Sequence, residues 1–494
     1  MADIKIVDVS IRDGNQSLWG AVGMNTPQIL QIAPTLDRIG LRALDFTSST
    51  HIGVAVRNHK EDPWERIRLT RKAMPNTPLQ FIGTGLRFIS WETAHPEFMQ
   101  LAYDRLVENG ISRFALLEPT HDMDALFESA RMIRKAGGTE IMGALTFTIS
   151  AVHDDAYYAG LARQMAVSSD IDRVYIKDPS GLMSPERART LIPAVRAALG
   201  AKSLELHSHC TIGYAPLSYM DAAALGVDAL HVACEPLANG SSLPNAQRIV
   251  ANLREFGHSV DIDDHALGKA DAYFAQLAAA ERLPTGVPQE FDAQFLRHQV
   301  AGGVMATTRR QLAELKLEHR FDDVMNEVSS VRADLGYPIM VTPFAQMVCT
   351  QALYNVIATE RYTNVSDQVI RYVLGKFGRP TAPVEPNVKD RILSRPRARE
   401  LLDETPPLPL NELRKRFKPG IPDEELLLRV TMPAEQVDAM IAAGPAKRRY
   451  NPAAQPMLKA LAESVNTPVV ADQVIEQPGF RLELRTADSE VADA

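Results

Sequence analysis

Long apolar runs are missing from this sequence: nowhere do the roughly 18 uninterrupted apolar residues of a membrane span occur. A chain crossing the bilayer as helices is therefore excluded. The start, Met1-Ala2-Asp3-Ile4-Lys5, also lacks the apolar segment of a signal peptide, so a cytoplasmic protein is expected. Cysteine is scarce. Cys210, Cys234 and Cys349 are an odd number without C-x-x-C spacing, which excludes a disulfide framework and a zinc ribbon and suits a reducing compartment. Dense Lys/Arg blocks are absent and the formal charge is −8, so no nucleic-acid surface is expected. Small molecules or proteins are the expected partners. What the 494 residues do have is 45% hydrophobic and 23% charged side chains, enough for one core of about 250 residues and a second unit.

Eight short, apolar, β-branched runs lie in the first 260 residues, at Ile4 to Ser10, Leu41 to Thr47, Leu79 to Gly83, Arg113 to Glu118, Ile141 to Phe147, Arg173 to Asp178, Ser203 to His209 and Ala229 to Cys234. Between them, apolar residues recur at three- and four-residue spacing, as in Pro27 to Ile39, Pro63 to Met74, Asp124 to Ala136, Ala156 to Val167 and Pro185 to Leu199. Strands alternating with helices imply parallel pairing, and eight such units in about 250 residues predict an α/β fold of the (β/α)8 (TIM) barrel type. An open doubly wound sheet would bring a Gly-rich phosphate turn after the first strand, and Ser10-Ile11-Arg12-Asp13 stands there instead.

From Asp261 the pattern becomes purely helical, with expected helices at Asp271 to Ala280, Gly303 to Leu317, Phe321 to Leu335, Thr342 to Ala358 and Asp367 to Phe377. Pro380, Pro383 and Pro386 break it, and Thr405-Pro406-Pro407-Leu408-Pro409 reads as a stiff linker before short helices at Leu410 to Phe417 and Pro422 to Arg429. The division expected is a barrel over 1–260, a mainly helical domain over 261–400, a short helical extension over 401–450 and a tail over 451–494, frayed from Arg485 to Ala494.

Three distant stretches carry chemistry: Arg12-Asp13-Gly14-Asn15-Gln16, Ile176-Lys177-Asp178 and His207-Ser208-His209. Each follows or ends a strand, and barrel strand ends converge on one mouth. His207 and His209 stand two apart, so both imidazoles project to one face and can grip a divalent cation, with Asp13 as an anionic ligand. A lone His-x-His pair has a structural reading too. Lys177 has two readings. It can pair with Asp178 or Glu205, or its neutral amine can add CO2 and become a coordinating carbamate. In the second case Asp13, Lys177, His207 and His209 form a mixed nitrogen and oxygen shell that favours zinc, with manganese or cobalt as alternatives.

At these residues the chain resembles a known family. Arg12-Asp13-Gly14-Asn15-Gln16-Ser17-Leu18, Glu61-Asp62-Pro63-Trp64-Glu65-Arg66, Ile176-Lys177-Asp178-Pro179-Ser180-Gly181-Leu182 and Leu206-His207-Ser208-His209 resemble the carboxyltransferase domain shared by pyruvate carboxylase, the oxaloacetate decarboxylase alpha subunit and the transcarboxylase 5S subunit. The likeness continues through Val331-Arg332-Ala333-Asp334-Leu335-Gly336-Tyr337-Pro338, Val341-Thr342-Pro343 and Glu360-Arg361-Tyr362, and covers residues 4 to 430.

The resemblance implies a biotin-dependent reaction. In that family carboxybiotin enters the barrel mouth and releases CO2, a hydroxyl relays a proton from the substrate carbon to biotin, and the resulting enolate takes up the CO2. By matching position, Asp13, Lys177, His207 and His209 would be the metal ligands, Gln16 and Arg12 would hold substrate or biotin groups, and Ser241, in Gly240-Ser241-Ser242-Leu243-Pro244, would be the relay. Ser241 can equally be read as the cap of a helix starting near Pro244. The family likeness also implies a homodimer core.

Departures fall on the substrate side. Thr84 occupies the place of the family's carboxylate-gripping arginine, and Arg87, three residues on, would have to reach back to serve as its fork. Thr47-Ser48-Ser49-Thr50-His51, Ala115-Leu116-Leu117-Glu118 and Cys210 replace other family residues. An acceptor other than pyruvate is therefore expected, such as a less acidic carbonyl compound or an amide. No Ala-Met-Lys-Met-like biotinylation site or Gly-rich ATP-binding region occurs, and residues after Tyr450 do not read as a small β-rich biotinyl domain. A biotin carboxyl carrier protein and a biotin carboxylase would then be separate partners. Two other readings remain: an aldolase, lyase or Claisen-type synthase of the wider group of metal-dependent barrels, which would not need Lys177, and a non-catalytic scaffold subunit.

Overall fold

The computed structural model describes residues 2–90 and 92–450, together with the strand pair Gln473–Gln477 and Phe480–Leu484. Eight parallel strands close into a barrel in sequence order: β1 Lys5–Asp8, β2 Ala43–Ser48, β3 Leu79–Thr84, β4 Arg113–Leu117, β5 Glu140–Thr146, β6 Arg173–Asp178, β7 Ser203–Ser208 and β8 Ala229–Val232. Closure is made by β1 against β8, where Ile6 pairs with Leu230 and Val7 with His231. The expected (β/α)8 barrel is present.

Alternate residues of each strand face opposite sides. Phe114, Ile141, Val174, Ile176, Leu204 and Leu206 point outward and share one apolar core with the surrounding helices. The barrel's own filling includes Ala115, Leu117, Met142, Ala144 and Tyr175. β1 ends earlier than the hydrophobic run suggests. The Asp8 carboxylate accepts bonds from Ser10 N and Oγ at 3.0 and 2.8 Å, a local turn that outcompetes the ladder.

Beyond the barrel, the helix Asp264–Glu281 contributes Leu267, Phe274 and Leu277 to the barrel core. The helices Gly302–Glu314, Phe321–Asp334, Phe344–Ile357 and Asp367–Val373 build a second core around Val328, Val331, Val348 and Ile370. Three helices of this region were not expected, Gln294–His298, Pro386–Leu393 and Pro396–Leu402. Pro386 reads as a breaker, yet proline at a first helical position loses no bond, and Glu385 caps this helix by accepting from Val388 N at 2.7 Å. The short helices Leu410–Arg414 and Asp423–Thr431 are followed by an unanticipated third, Ala434–Ala443. Leu413, Leu426, Leu427, Val437 and Met440 of this stretch pack back into the barrel core.

Residues Gln473–Gln477 and Phe480–Leu484 pair antiparallel, strands that the weak pattern after Tyr450 does not announce. The expected fraying at Arg485 to Ala494 lies outside the described residues. Among the described residues, no helix is long and apolar enough to cross a membrane.

The helical region is tied to the carboxyl-terminal end of the barrel strands. Arg332 donates to Ile149 O at 2.8 Å and Thr148 Oγ1 at 2.7 Å, just after β5. Gln299 bonds Thr148 Oγ1 and Ile149 O, and its own carbonyl accepts from Ser180 Oγ in the loop after β6. The loops flanking Lys177 are thus braced from outside the barrel.

Candidate metal centre

Asp13 is carried by a buried π-helical turn, Ser10–Gly14, entered directly from β1. Such one-turn insertions recur at functional sites because they re-aim side chains. Gly14 permits the turn to sit against the loop after β8: a Cβ there would meet Leu237 Cβ and O at 3.1 Å. Lys177 and His207 are register partners in β6 and β7, so their side chains lie side by side on the interior face. His209 follows directly after β7.

The four side chains meet. Lys177 Nζ lies 2.9 Å from His207 Nε2 and 3.5 Å from Asp13 Oδ2. His207 Nε2 is 3.2 Å from Asp13 Oδ2 and 3.2 Å from His209 Nε2, and His209 Nε2 is 3.6 Å from Asp13 Oδ1. Among the described residues, Asp13, His207 and His209 form a group of ligand atoms within 4.8 Å of one another, all buried. Neither alternative partner of Lys177 is free to take it. Asp178 accepts from Leu182 N, Met183 N and Ser208 Oγ, and Glu205 is held by Arg113, Arg173 and His231.

The donor chemistry fits a cation. His209 Nδ1 lies 2.7 Å from Ser241 O, a carbonyl that can only accept, so Nδ1 carries the proton in that bond. Glu205 likewise only accepts, so His231 Nε2 donates to it across 2.9 Å. Burial holds both His231 and His207 below the ordinary imidazole range, which keeps them neutral. The His207 Nδ1 to His231 Nδ1 contact of 3.1 Å then needs His207 as donor. Nε2 of His207 therefore presents a lone pair to the centre, toward Asp13 and Lys177. Burial pushes Asp13 up, but Arg12, His209 and Lys177 outweigh it and hold the carboxyl well below its usual range. Asp13, His207 and His209 offer ligand atoms close enough together to hold one divalent ion.

Other expected site residues lie around this centre. Arg12 is buried, with Nε 2.8 Å from Asp45 Oδ2 and Nη1 2.9 Å from Asp13 Oδ2. Gln16 is exposed near the start of the short helix Asn15–Trp19 at the rim. Ser241 is not a helix cap, since the next helix, Ala246–Glu255, is capped by Asn245; its hydroxyl donates to Ser17 O at 2.9 Å. Thr84 ends β3 half-buried. Arg87 is buried, with Nη1 3.8 Å from Glu118 Oε2, its guanidinium 5.8 Å from the Phe377 ring centroid and its Nε without a partner.

Several contributors escape sequence reading. Ser17 donates to Asp13 Oδ1 at 2.9 Å and fixes the second carboxylate oxygen. Asp45, on β2, anchors Arg12. His231 and Glu205 lie beneath His207. Ser17 sits one turn after Asp13, a spacing that could have marked it; the others depend on barrel register.

Known proteins resemble this chain over most of its length. A family profile described as a conserved carboxylase domain matches residues 295–463. A pyruvate carboxylase subunit of Methanocaldococcus jannaschii is 34% identical over 391 residues, 79% of this chain and 68% of that protein. The 2-oxoglutarate carboxylase large subunit of Hydrogenobacter thermophilus is 30% identical over 448 residues, covering 89% and 68%. The carboxyl transferase domain of Rhizobium etli pyruvate carboxylase, solved with pyruvate and biocytin, superposes with a TM-score of 0.81 at 22% identity over 98% of this chain and 84% of that one, which establishes the shared fold. This chain belongs to the carboxyltransferase family of biotin-dependent carboxylases, an enzyme family built on this barrel.

Proposed function

We propose that this chain is the carboxyltransferase subunit of a biotin-dependent carboxylase, moving CO2 from carboxybiotin on a separate carrier protein to an enolisable small-molecule acceptor other than pyruvate. The convergence of Asp13, Lys177, His207 and His209 carries the reading. Lys177 also separates it from aldol or Claisen chemistry on related barrels, which does not call for that side chain. A buried acid, amine and imidazole pair brought together at a barrel mouth is equally at odds with a scaffold role.

A divalent cation bound there, zinc by the donor set, would supply Lewis-acid stabilisation of charge developing on an acceptor oxygen. The chain's own residues prepare the site. Arg12 and Ser17 orient the Asp13 carboxylate, and Arg12 keeps part of its donor fork for a substrate or biotin oxygen. Ser241 stands beside His209, and rotation about χ1 would release its hydroxyl from Ser17 O to serve as a proton relay. Gln16, exposed on the rim, is placed to meet an incoming biotin group.

The acceptor assignment rests on β3. Thr84 offers no guanidinium, and the Arg87 guanidinium stands 3.8 Å from Glu118 Oε2 and beside the Phe377 ring rather than at the family arginine's place. Thr84→Arg should raise turnover of pyruvate or oxaloacetate by about tenfold, the worth of one charge-assisted carboxylate contact. An unchanged rate would move the substrate pocket away from this strand.

The partners that follow are a biotin carboxyl carrier protein and a biotin carboxylase; that the relative from Methanocaldococcus jannaschii is named as one subunit of its pyruvate carboxylase supports such a division. A homodimer core in the cytoplasm completes the proposal. The deciding experiment supplies labelled carboxybiotin on a carrier protein and follows label into candidate acceptors, with and without avidin. Avidin should stop transfer; turnover that persists in its presence would favour biotin-independent aldol or Claisen chemistry.

A further inference from the structure

Below the ligands, inside the barrel, lies a chain of polar side chains that the proposed reaction does not use. His207 Nδ1 is 3.1 Å from His231 Nδ1, His231 Nε2 is 2.9 Å from Glu205 Oε2, and Glu205 is anchored by Arg113 at 2.5 Å and Arg173 at 3.1 Å. Glu205 is fully buried and both imidazoles are 1% exposed, so the links are shielded from bulk water. The Tyr175 ring lies nearly parallel to His231, 10° between planes with centroids 5.9 Å apart, and limits its rotation.

We propose that His231 and Glu205 are positioning residues for the metal centre, holding the His207 proton on Nδ1 so that Nε2 stays open as a ligand. The inference rests on the metal-centre reading above. Direction along the chain is set from its lower end. Glu205, fixed by two guanidinium groups, has only lone pairs to offer, so His231 donates through Nε2, and a neutral His231 ring accepts through Nδ1; at the upper end Lys177 Nζ, 2.9 Å from His207 Nε2, donates as an ammonium and leaves that nitrogen as the acceptor. His207 then donates through Nδ1. His209 has no comparable side-chain relay, because its Nδ1 meets the backbone carbonyl of Ser241. Side chains that orient a metal-bound histidine commonly matter by about 10- to 100-fold in metal affinity.

The test compares wild-type protein, His231→Leu and His231→Gln, loaded with cobalt(II) and titrated with a chelator, while the cobalt absorption bands are recorded. His231→Leu should bind cobalt about 10- to 100-fold more weakly, with changed bands. His231→Gln, whose amide oxygen can accept from His207 and whose NH2 can donate to Glu205, should recover most of the loss. Equal affinity and bands in wild type and His231→Leu, or a Gln variant no better than Leu, overturns the relay. Wild-type protein that takes up no cobalt instead overturns the metal centre itself. Should His231→Leu not fold, long-range 1H–15N spectra of histidine-labelled wild-type protein decide: His207 protonated on Nδ1 supports the relay, and protonation on Nε2 refutes it.

Discussion

Lys177→Ala and Lys177→Gln are expected to lower carboxyl transfer by at least about 10²–10³-fold, the scale of losing a preorganised electrostatic group, and to weaken metal binding in parallel. The side chain is 5% exposed, and its nitrogen sits within 3.5 Å of both Asp13 and His207. Neither replacement can form a carbamate, and Gln keeps much of the volume, so a folding defect and a chemical one are separable. Wild-type turnover in either variant removes the carbamate.

The same residue predicts a pH dependence. Burial lowers the Lys177 amine from 10.5 to about 8, against the raising effect of Asp13. The folded value lies below the unfolded one, so the unfolded chain binds more protons between about 8 and 10.5, and stability of the metal-free protein rises with pH across that window. Below about 8 the side chain is an ammonium and the penalty is fully present. Only the free amine adds CO2, and the addition itself releases a proton, so at fixed dissolved CO2 carbamate formation should climb steeply as pH rises toward 8 and more gently above it. A 13C signal from 13CO2-treated metal-free protein, weak at pH 6.5 and strong at pH 8.5, is the expected result; its absence at both pH values would count against the modification.

Arg113→Met should be strongly destabilising, costing about 3–5 kcal/mol, because it leaves part of a buried carboxylate's charge uncompensated. Arg113 is 1% exposed in β4 and reaches across the interior to Glu205, with Nε bonded to Gln80 at 2.8 Å. Its Nη1 lies 2.8 Å from Glu140 Oε1 as an ion pair rather than an aligned hydrogen bond. Arg173 and His231 still hold Glu205 in the variant, which places the expected loss toward the lower end. Burial pushes Glu205 up, but Arg113, His231 and Arg173 outweigh it and hold its carboxyl well below 4.5. A depressed carboxylate contributes stability above its unfolded value and loses it as pH falls, so the wild-type advantage should shrink below about pH 4.5. Urea unfolding of wild type, Arg113→Met and the double variant Arg113→Met/Glu205→Gln checks this. Recovery in the double variant is expected; a single-variant loss under about 1 kcal/mol would mean that water reaches the pair.

Much of this was legible along the chain. The alternation of β-branched runs with helical periodicity announced the barrel, and the spacing of His207 and His209 announced two imidazoles brought together with Asp13. Strand ends were less legible, because Asp8 captures Ser10 and stops β1 before the hydrophobic run does. The helices at Pro386–Leu393 and Pro396–Leu402 were hidden because proline can start a helix as well as break one. Along the chain Arg87 shows no neighbour; in three dimensions Glu118, just after β4, lies 3.8 Å from its Nη1 and the Phe377 ring, from the helical region, stands beside its guanidinium.

By itself the sequence determined the repeat of strand and helix and which residue types reach the barrel mouth, since both follow from local periodicity and chain order. Only the tertiary structure decided that Lys177 faces Asp13 and His207 rather than Asp178 or Glu205, and that Glu205 and His231 stand in line beneath the ligands. These are choices among partners tens to hundreds of residues apart, made by strand register, barrel closure and the need of every buried polar group for a partner.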